Sequence, residues 1–185
     1  MKKRWQQLSG KKKIMIVTIV IIFIGYMLPE NFTMPVKDAG KCDYNQESYW
    51  YYPWGKSGTH KGVDIFAKEG TEVRSATGGV VVYSGAMGIG GNVVLVLGPE
   101  WKVHYYAHLR ERKSALFDFV DSGEAIGTVG TTGNAAGKAP HLHYSILTLI
   151  PYVWQIDGDH QGWKKMFYVD PTPLLTNTGQ RDSGL

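Results

Sequence analysis

Five of the six histidines fall in three short blocks, and these blocks hold the residue types that hydrolytic chemistry needs. The first reads His60-Lys61-Gly62-Val63-Asp64, the second His104-Tyr105-Tyr106-Ala107-His108-Leu109, and the third His141-Leu142-His143. Side chains alternate along a β-strand, so His60, Gly62 and Asp64 share one face of an extended segment. Gly62 and the β-branched Val63 and Ile65 disfavour a helix there, and the missing side chain of Gly62 reads as clearance between two ligands for an ion. In the third block both imidazoles project from one face while Leu142 turns into a core; one can bind metal while the other stands beside it. The same alternation groups His104, Tyr106 and His108 and sends Ala107 and Leu109 inward. That block offers a proton-handling imidazole without identifying it.

Cys42 is the only cysteine, which excludes an intrachain disulfide and a cysteine-based metal cluster. A metal must then be held by histidine and carboxylate. Two histidines and one carboxylate leave one tetrahedral position of zinc open, the arrangement of a hydrolytic rather than a structural site. Water there has its pKa brought toward about 7, and the ion polarises a scissile carbonyl. Remaining histidines supply the base and the oxyanion donors. Any block alone is more often ordinary surface or core histidine; the conjunction carries the reading.

The elements that position these blocks are short and β-branched. Val63–Phe66, Glu72–Arg74, Val80–Tyr83, Asn92–Leu97, Lys102–Leu109, Ala125–Val129 and His141–Thr148 are strand candidates separated by glycine-containing turns. With almost no helical periodicity, they predict an all-β domain, a small antiparallel sandwich or barrel. Pro151 to Val169 breaks the rhythm as an aromatic, turn-rich excursion, either one wall of a groove or decoration. His160 within it reads as an exposed loop residue, and His104 as a groove-lining candidate. The aromatic run Tyr49 to Trp54 serves packing or stacks on a ligand.

The 185 residues suffice for one domain and a short appendage. Six of the 20 basic residues lie in residues 1–13, which contain no acid, and the rest are outnumbered by the 16 Asp and Glu. A basic tail on a nearly neutral body is not a nucleic-acid footprint. The uncharged run Ile14–Leu28 follows and reads as a membrane anchor, a transmembrane helix whose basic flank places residues 1–13 in the cytoplasm. No small-residue cleavage site follows it, and Lys41 before Cys42 spoils a lipoprotein signal. Residues 29–48 read as a linker, 49–175 as the domain, and 176–185 as a flexible tail. These expectations place a single-pass chain in a membrane, its domain on the side away from the basic tail.

The order His-x-Gly-x-Asp, Tyr-x-His-Leu and His-Leu-His resembles the lysostaphin/LytM-type zinc endopeptidases. So do Ala67 to Val73, Ala76 to Val80, Gly91-Asn92-Val93-Val94 and Ser122 through Asn134, with a family-like ending at Val169-Asp170-Pro171. The resemblance covers residues 58–148. It implies that His60, Asp64 and His143 hold a zinc ion, and that His108 and His141 are the catalytic pair. It further implies a groove in a small antiparallel β-domain and peptidoglycan peptides, cross-links or bridges, as substrate. A tyrosine upstream of the first zinc histidine assists in some members; Tyr49, Tyr51 and Tyr52 are the candidates. The competing reading is a non-catalytic regulator or wall-binding module of the same fold, which typically loses zinc ligands that this chain retains. A biotinyl-type carrier domain would leave the histidine blocks unexplained.

Overall fold

The computed structural model describes residue 6 and residues 8–181; the remainder of the basic tail, residues 1–5 and 7, and residues 182–185 lie outside the described residues. The strands are β1 (Val63–Phe66), β2 (Glu72–Arg74), β3 (Gly79–Met87), β4 (Gly91–Leu97), β5 (Lys102–Leu109), β6 (Glu111–Arg112), β7 (Phe119–Val120), β8 (Ala125–Thr128), β9 (His141–Thr148) and β10 (Tyr168–Val169). They form a seven-stranded sheet in the order β1-β9-β5-β4-β3-β7, with β10 also beside β9, and a three-stranded sheet β2-β8-β6. Every pairing is antiparallel, as the strand rhythm predicts. The expected strands all form. The two-residue β6, β7 and β10 went unanticipated because so short a segment displays no period.

One apolar core joins the sheets: Val63, Ile65, Val94, Val96, Leu142 and Ile146 from the large sheet meet Val73 and Ile126 from the small one. On β1 and β9 these residues alternate with Asp64, His141, His143 and Ser145, so burying one face aims the other at the site. A one-residue slip would exchange the two sets, which makes the register stringent.

Two expected boundaries shift. The segment 29–48 does not stand off as a linker: Met34, Val36 and Tyr44 are buried in the core, Val36 bridges to Val73, and Tyr44 bridges to Ile65. Its few apolar residues follow no period, so composition alone read as polar. The tail beyond 175 continues a helix, α2 (Thr172–Arg181), capped where Thr172 N–H donates to Asp170 Oδ1 at 2.9 Å and anchored by buried Leu175.

The apolar run forms helix α1 (Gly10–Met27), but among the described residues no helix is long and apolar enough to cross a membrane. Its first turn is Gly10-Lys11-Lys12-Lys13, and Ile14–Met27 rises only about 21 Å against roughly 30 Å of hydrocarbon. The transmembrane expectation is corrected accordingly. The helix end docks on the domain, where Trp101 Nε1 donates to the Ile22 carbonyl at 3.0 Å and the indole packs on Gly25.

Candidate metal centre

Antiparallel pairing of β1 with β9 sets Asp64 opposite His143 and Phe66 opposite His141, while β5 sets Ala107 on the other side of His143. His60 enters from the loop before β1. His60 Nε2 lies 3.0 Å from Asp64 Oδ1 and 3.1 Å from His143 Nδ1, and His143 Nδ1 lies 2.8 Å from Asp64 Oδ1. Among the described residues this is the group whose ligand atoms converge, all within 4.8 Å of one another.

The outer nitrogens decide what the inner ones can do. His60 Nδ1 sits 2.9 Å from the Ser48 carbonyl, which only accepts, so Nδ1 carries the proton. Ser145 Oγ donates to the Lys61 carbonyl at 2.7 Å and therefore accepts from His143 Nε2–H at 3.0 Å. The facing His60 Nε2 and His143 Nδ1 are consequently lone pairs, directed at each other and at a carboxylate. Three such donors repel unless a cation stands among them. Their spacing is close to the edge of about 3.3 Å expected for ligands about 2.0 Å from a tetrahedral zinc. The residues thus fit the ion.

Electrostatics agree. Burial alone would raise the Asp64 pKa, but the His143 and His60 imidazoles beside it hold its carboxyl well below the usual carboxylate range. Burial depresses the His143 pKa, against the pull of Asp64. Gly62 is buried between the ligands, although its clearance differs from the expected one. A methyl there would overlap Ser145 Oγ and the Tyr144 carbonyl and sit 3.0 Å from His143 Cε1, so the space admits β9 itself rather than only an ion.

His108 reaches the groove by breaking alternation. His104 and Tyr106 point into the core, whereas Ala107 and Tyr105 line the groove, contrary to the simple strand pattern. Asn92 pairs with Leu109 while Val94 pairs with Tyr106, so β5 carries an extra residue, and His108 adopts φ +64°. This bulge swings His108 onto the site face and returns Leu109 to the core. Nδ1–H of His108 donates to the Thr132 carbonyl at 2.9 Å, and Nδ1–H of His141 to the Ala139 carbonyl at 2.8 Å. Each keeps Nε2 free, and that of His141 lies 3.8 Å from Asp64 Oδ2. Their ring centroids are 5.0 Å apart. Burial, then the neighbouring His143 and His141, push the His108 pKa down to about 4, leaving it neutral at pH 7.

His104 is not a groove residue. It is fully buried, with Nδ1 2.7 Å from the Tyr144 hydroxyl and Nε2 3.6 Å from Glu30 Oε1, and burial lowers its pKa. His160 is exposed as expected, yet it stacks on Tyr52 with centroids 4.1 Å apart and its Nδ1 lies 3.0 Å from Thr59 Oγ1. The 151–169 excursion therefore neither lines the groove nor merely decorates. Its His160 carbonyl accepts from Trp50 Nε1 at 3.2 Å, and its Gln161 Nε2 donates to the Ser57 carbonyl at 3.1 Å. These contacts brace the loop whose Trp54 stacks on His60, centroids 4.2 Å apart, as one groove wall. Of the candidate tyrosines, Tyr51 lines the recess beside Asp64, with Trp54 and Phe66.

The groove has a volume of about 440 Å³ and also admits Lys61, Asn134 and Lys138. Ser145 was legible in principle, two residues beyond His143 on the same face. The Ser48 and Thr132 carbonyls had no side-chain signal to betray them.

Residues 58–157 match peptidase family M23. The chain is 31% identical over 139 residues, 74% of its length, to lysostaphin of Staphylococcus simulans, and 38% identical over 134 residues, 71% of its length, to the glycyl-glycine endopeptidase ALE-1 of Staphylococcus capitis. It is 41% identical over 85 residues, 46% of its length, to the DD-carboxypeptidase/endopeptidase Mpg of Neisseria meningitidis serogroup B. These matches span 25%, 33% and 19% of those relatives' own lengths. Among solved structures, the lysostaphin catalytic domain of Staphylococcus simulans superposes with a TM-score of 0.56 at 30% identity, covering 69% of this chain and 88% of that one. A zinc-containing peptidase from Vibrio cholerae superposes with a TM-score of 0.52 at 25% identity, covering 63% and 37%. The family match over more than half of the chain, and the fold that accompanies it, make this protein a member of peptidase family M23.

Proposed function

We propose that this chain is a zinc endopeptidase that hydrolyses peptide cross-links or bridges of bacterial peptidoglycan. The observation that carries the reading is the convergence of His60 Nε2, Asp64 and His143 Nδ1 as lone-pair donors at the floor of an open groove. His60, Asp64 and His143 would hold the ion, which when bound supplies Lewis-acid polarisation of the scissile carbonyl. His108 and His141, each with Nδ1 fixed on a backbone carbonyl, present two Nε2 atoms to the same space. Together they take a proton from the attacking water, hold it beside the charge that develops on the carbonyl oxygen, and release it to the leaving amine. Trp54 and its braced loop wall the groove and keep the His60 ring in place.

The test incubates the full chain with purified sacculi of several cross-link types and follows new free amines, with and without chelator. Zinc-dependent release that is abolished in His143→Ala is expected. No release from any of them would sink the assignment.

We also propose that α1 attaches the chain to a bacterial inner membrane, with the domain outside it. Exposure of Ile14, Phe23 and Met27 on α1, behind a flank of lysines, supports this. Sedimentation of the chain with membranes, and cleavage of its domain by protease added to spheroplasts, check it.

A further inference from the structure

The uncharged part of α1 is about 9 Å shorter than a hydrocarbon core, so attachment through it calls for a second apolar contact. The end of the domain remote from the groove offers one. Strand β4 starts beside the groove at Gly90 and runs away from it to the turn Pro99–Trp101, where α1 docks. Trp101 bonds the carbonyl of Ile22, so the domain overlaps the last ~9 Å of the helix rather than standing beyond its end.

At that same end β9 finishes, with Thr148 paired to Lys102 and Leu149 N–H donating to the Trp101 carbonyl at 3.0 Å. The chain then runs Leu149-Ile150-Pro151-Tyr152-Val153-Trp154-Gln155-Ile156 without a charge. Trp154 is 75% exposed, Val153 61%, Leu149 59% and Ile156 48%. Tyr152 stacks on Trp154, centroids 5.1 Å apart, and lies beside Tyr26 of α1. The nearby charges are paired, with one net negative charge left over: Lys102 Nζ lies 2.7 Å from Glu30 Oε2 and 3.0 Å from Glu100 Oε2.

We infer that Leu149–Ile156 is a membrane-contacting rim, seated in the lipid interface beside α1. Resting on the membrane attachment proposed above, it assigns a second lipid contact beside α1. Continuity with the apolar helix, the absence of charge and the Trp and Tyr flanking its exit identify lipid rather than protein as the occupant. The seat also turns the groove away from the bilayer.

The experiment reconstitutes the full chain in phosphatidylethanolamine/phosphatidylglycerol vesicles, with Cys42→Ser and a single labelled cysteine replacing Phe23, Trp154 or Lys138. Emission of an environment-sensitive dye is read with brominated lipid and with aqueous iodide. Loss of emission with brominated lipid at 23 and 154, but not at 138, is expected. Loss at 23 alone overturns the rim while the anchor stands. Loss at neither 23 nor 154 removes anchor and rim together. A dye at 154 that is shielded from iodide yet untouched by brominated lipid assigns the rim to a protein partner and overturns the inference.

Discussion

Gly62→Ala tests how closely the metal ligands depend on packing beneath them. The added methyl would overlap the Ser145 hydroxyl and the Tyr144 carbonyl, and lie 3.0 Å from His143 Cε1. The hydroxyl can rotate, but the carbonyl belongs to β9 and can yield only if the strand moves. Tyr144 pairs with Val63, next to the Asp64–His143 pair, so displacement opens the distance between Asp64 Oδ1 and His143 Nδ1, now 2.8 Å. Overpacking of this kind costs about 1–3 kcal/mol of stability. Disturbing the Ser145–His143 support of a metal ligand costs about 10–100-fold in affinity. A hundredfold loss also removes about 2.7 kcal/mol of zinc-dependent stabilisation wherever zinc had been saturating. Competition titration of zinc against a fluorescent chelator, with thermal unfolding of the zinc-free and zinc-loaded chain, measures both effects. Gly158→Ala is the control, since a methyl there meets nothing within 4 Å. Zinc affinity equal to that of the parent chain would refute the argument, even if the variant proved less stable.

Other outcomes follow from the same geometry. Ser145→Ala, which removes the acceptor 3.0 Å from His143 Nε2, should weaken zinc binding about 10–100-fold with an unchanged circular-dichroism spectrum; undiminished affinity would show that the strand alone aims the ring. His141→Ala should keep zinc and lose about 10²–10⁴-fold in kcat on a cross-linked muropeptide, whereas loss of the ion would make it a ligand. Burial pushes the Glu30 pKa up, but His104 and Lys102 outweigh it and hold it below its ordinary value. Stabilisation from that group is complete above the unfolded-state pKa of about 4.3 and is lost as pH falls through the lower folded value. Glu30→Gln should therefore cost about 1.5–3 kcal/mol near neutral pH and flatten the loss of stability below about pH 4, as read by urea unfolding across pH; an unaltered acid limb would place the dependence elsewhere.

Where strand alternation operates without interruption, the sequence was sufficient. His141, Leu142 and His143 alternate as read, and Asp64 emerges on the face opposite Val63 and Ile65. Beyond the nearest neighbours the signal fails for identifiable reasons. The extra residue at His108 puts that ring on the face of Tyr105 and Ala107 and separates it from His104, and a bulge of this kind arises from pairing with β4 that no local pattern records. Val36 and Tyr44 fill holes between sheets whose shape exists only after folding, so residues 29–48 looked dispensable. The carbonyl of Ser48 is common to every residue type and cannot be foreseen as a partner of His60.

That carbonyl gives the stretch between α1 and β1 a hold over the first candidate ligand. Because Val36 and Tyr44 stitch the same stretch to Val73 and Ile65, the segment acts as a splint for the first ligand. A cut between Tyr44 and Ser48 would break that splint and loosen the His60 ring, whereas trimming upstream of Met34 would leave it whole.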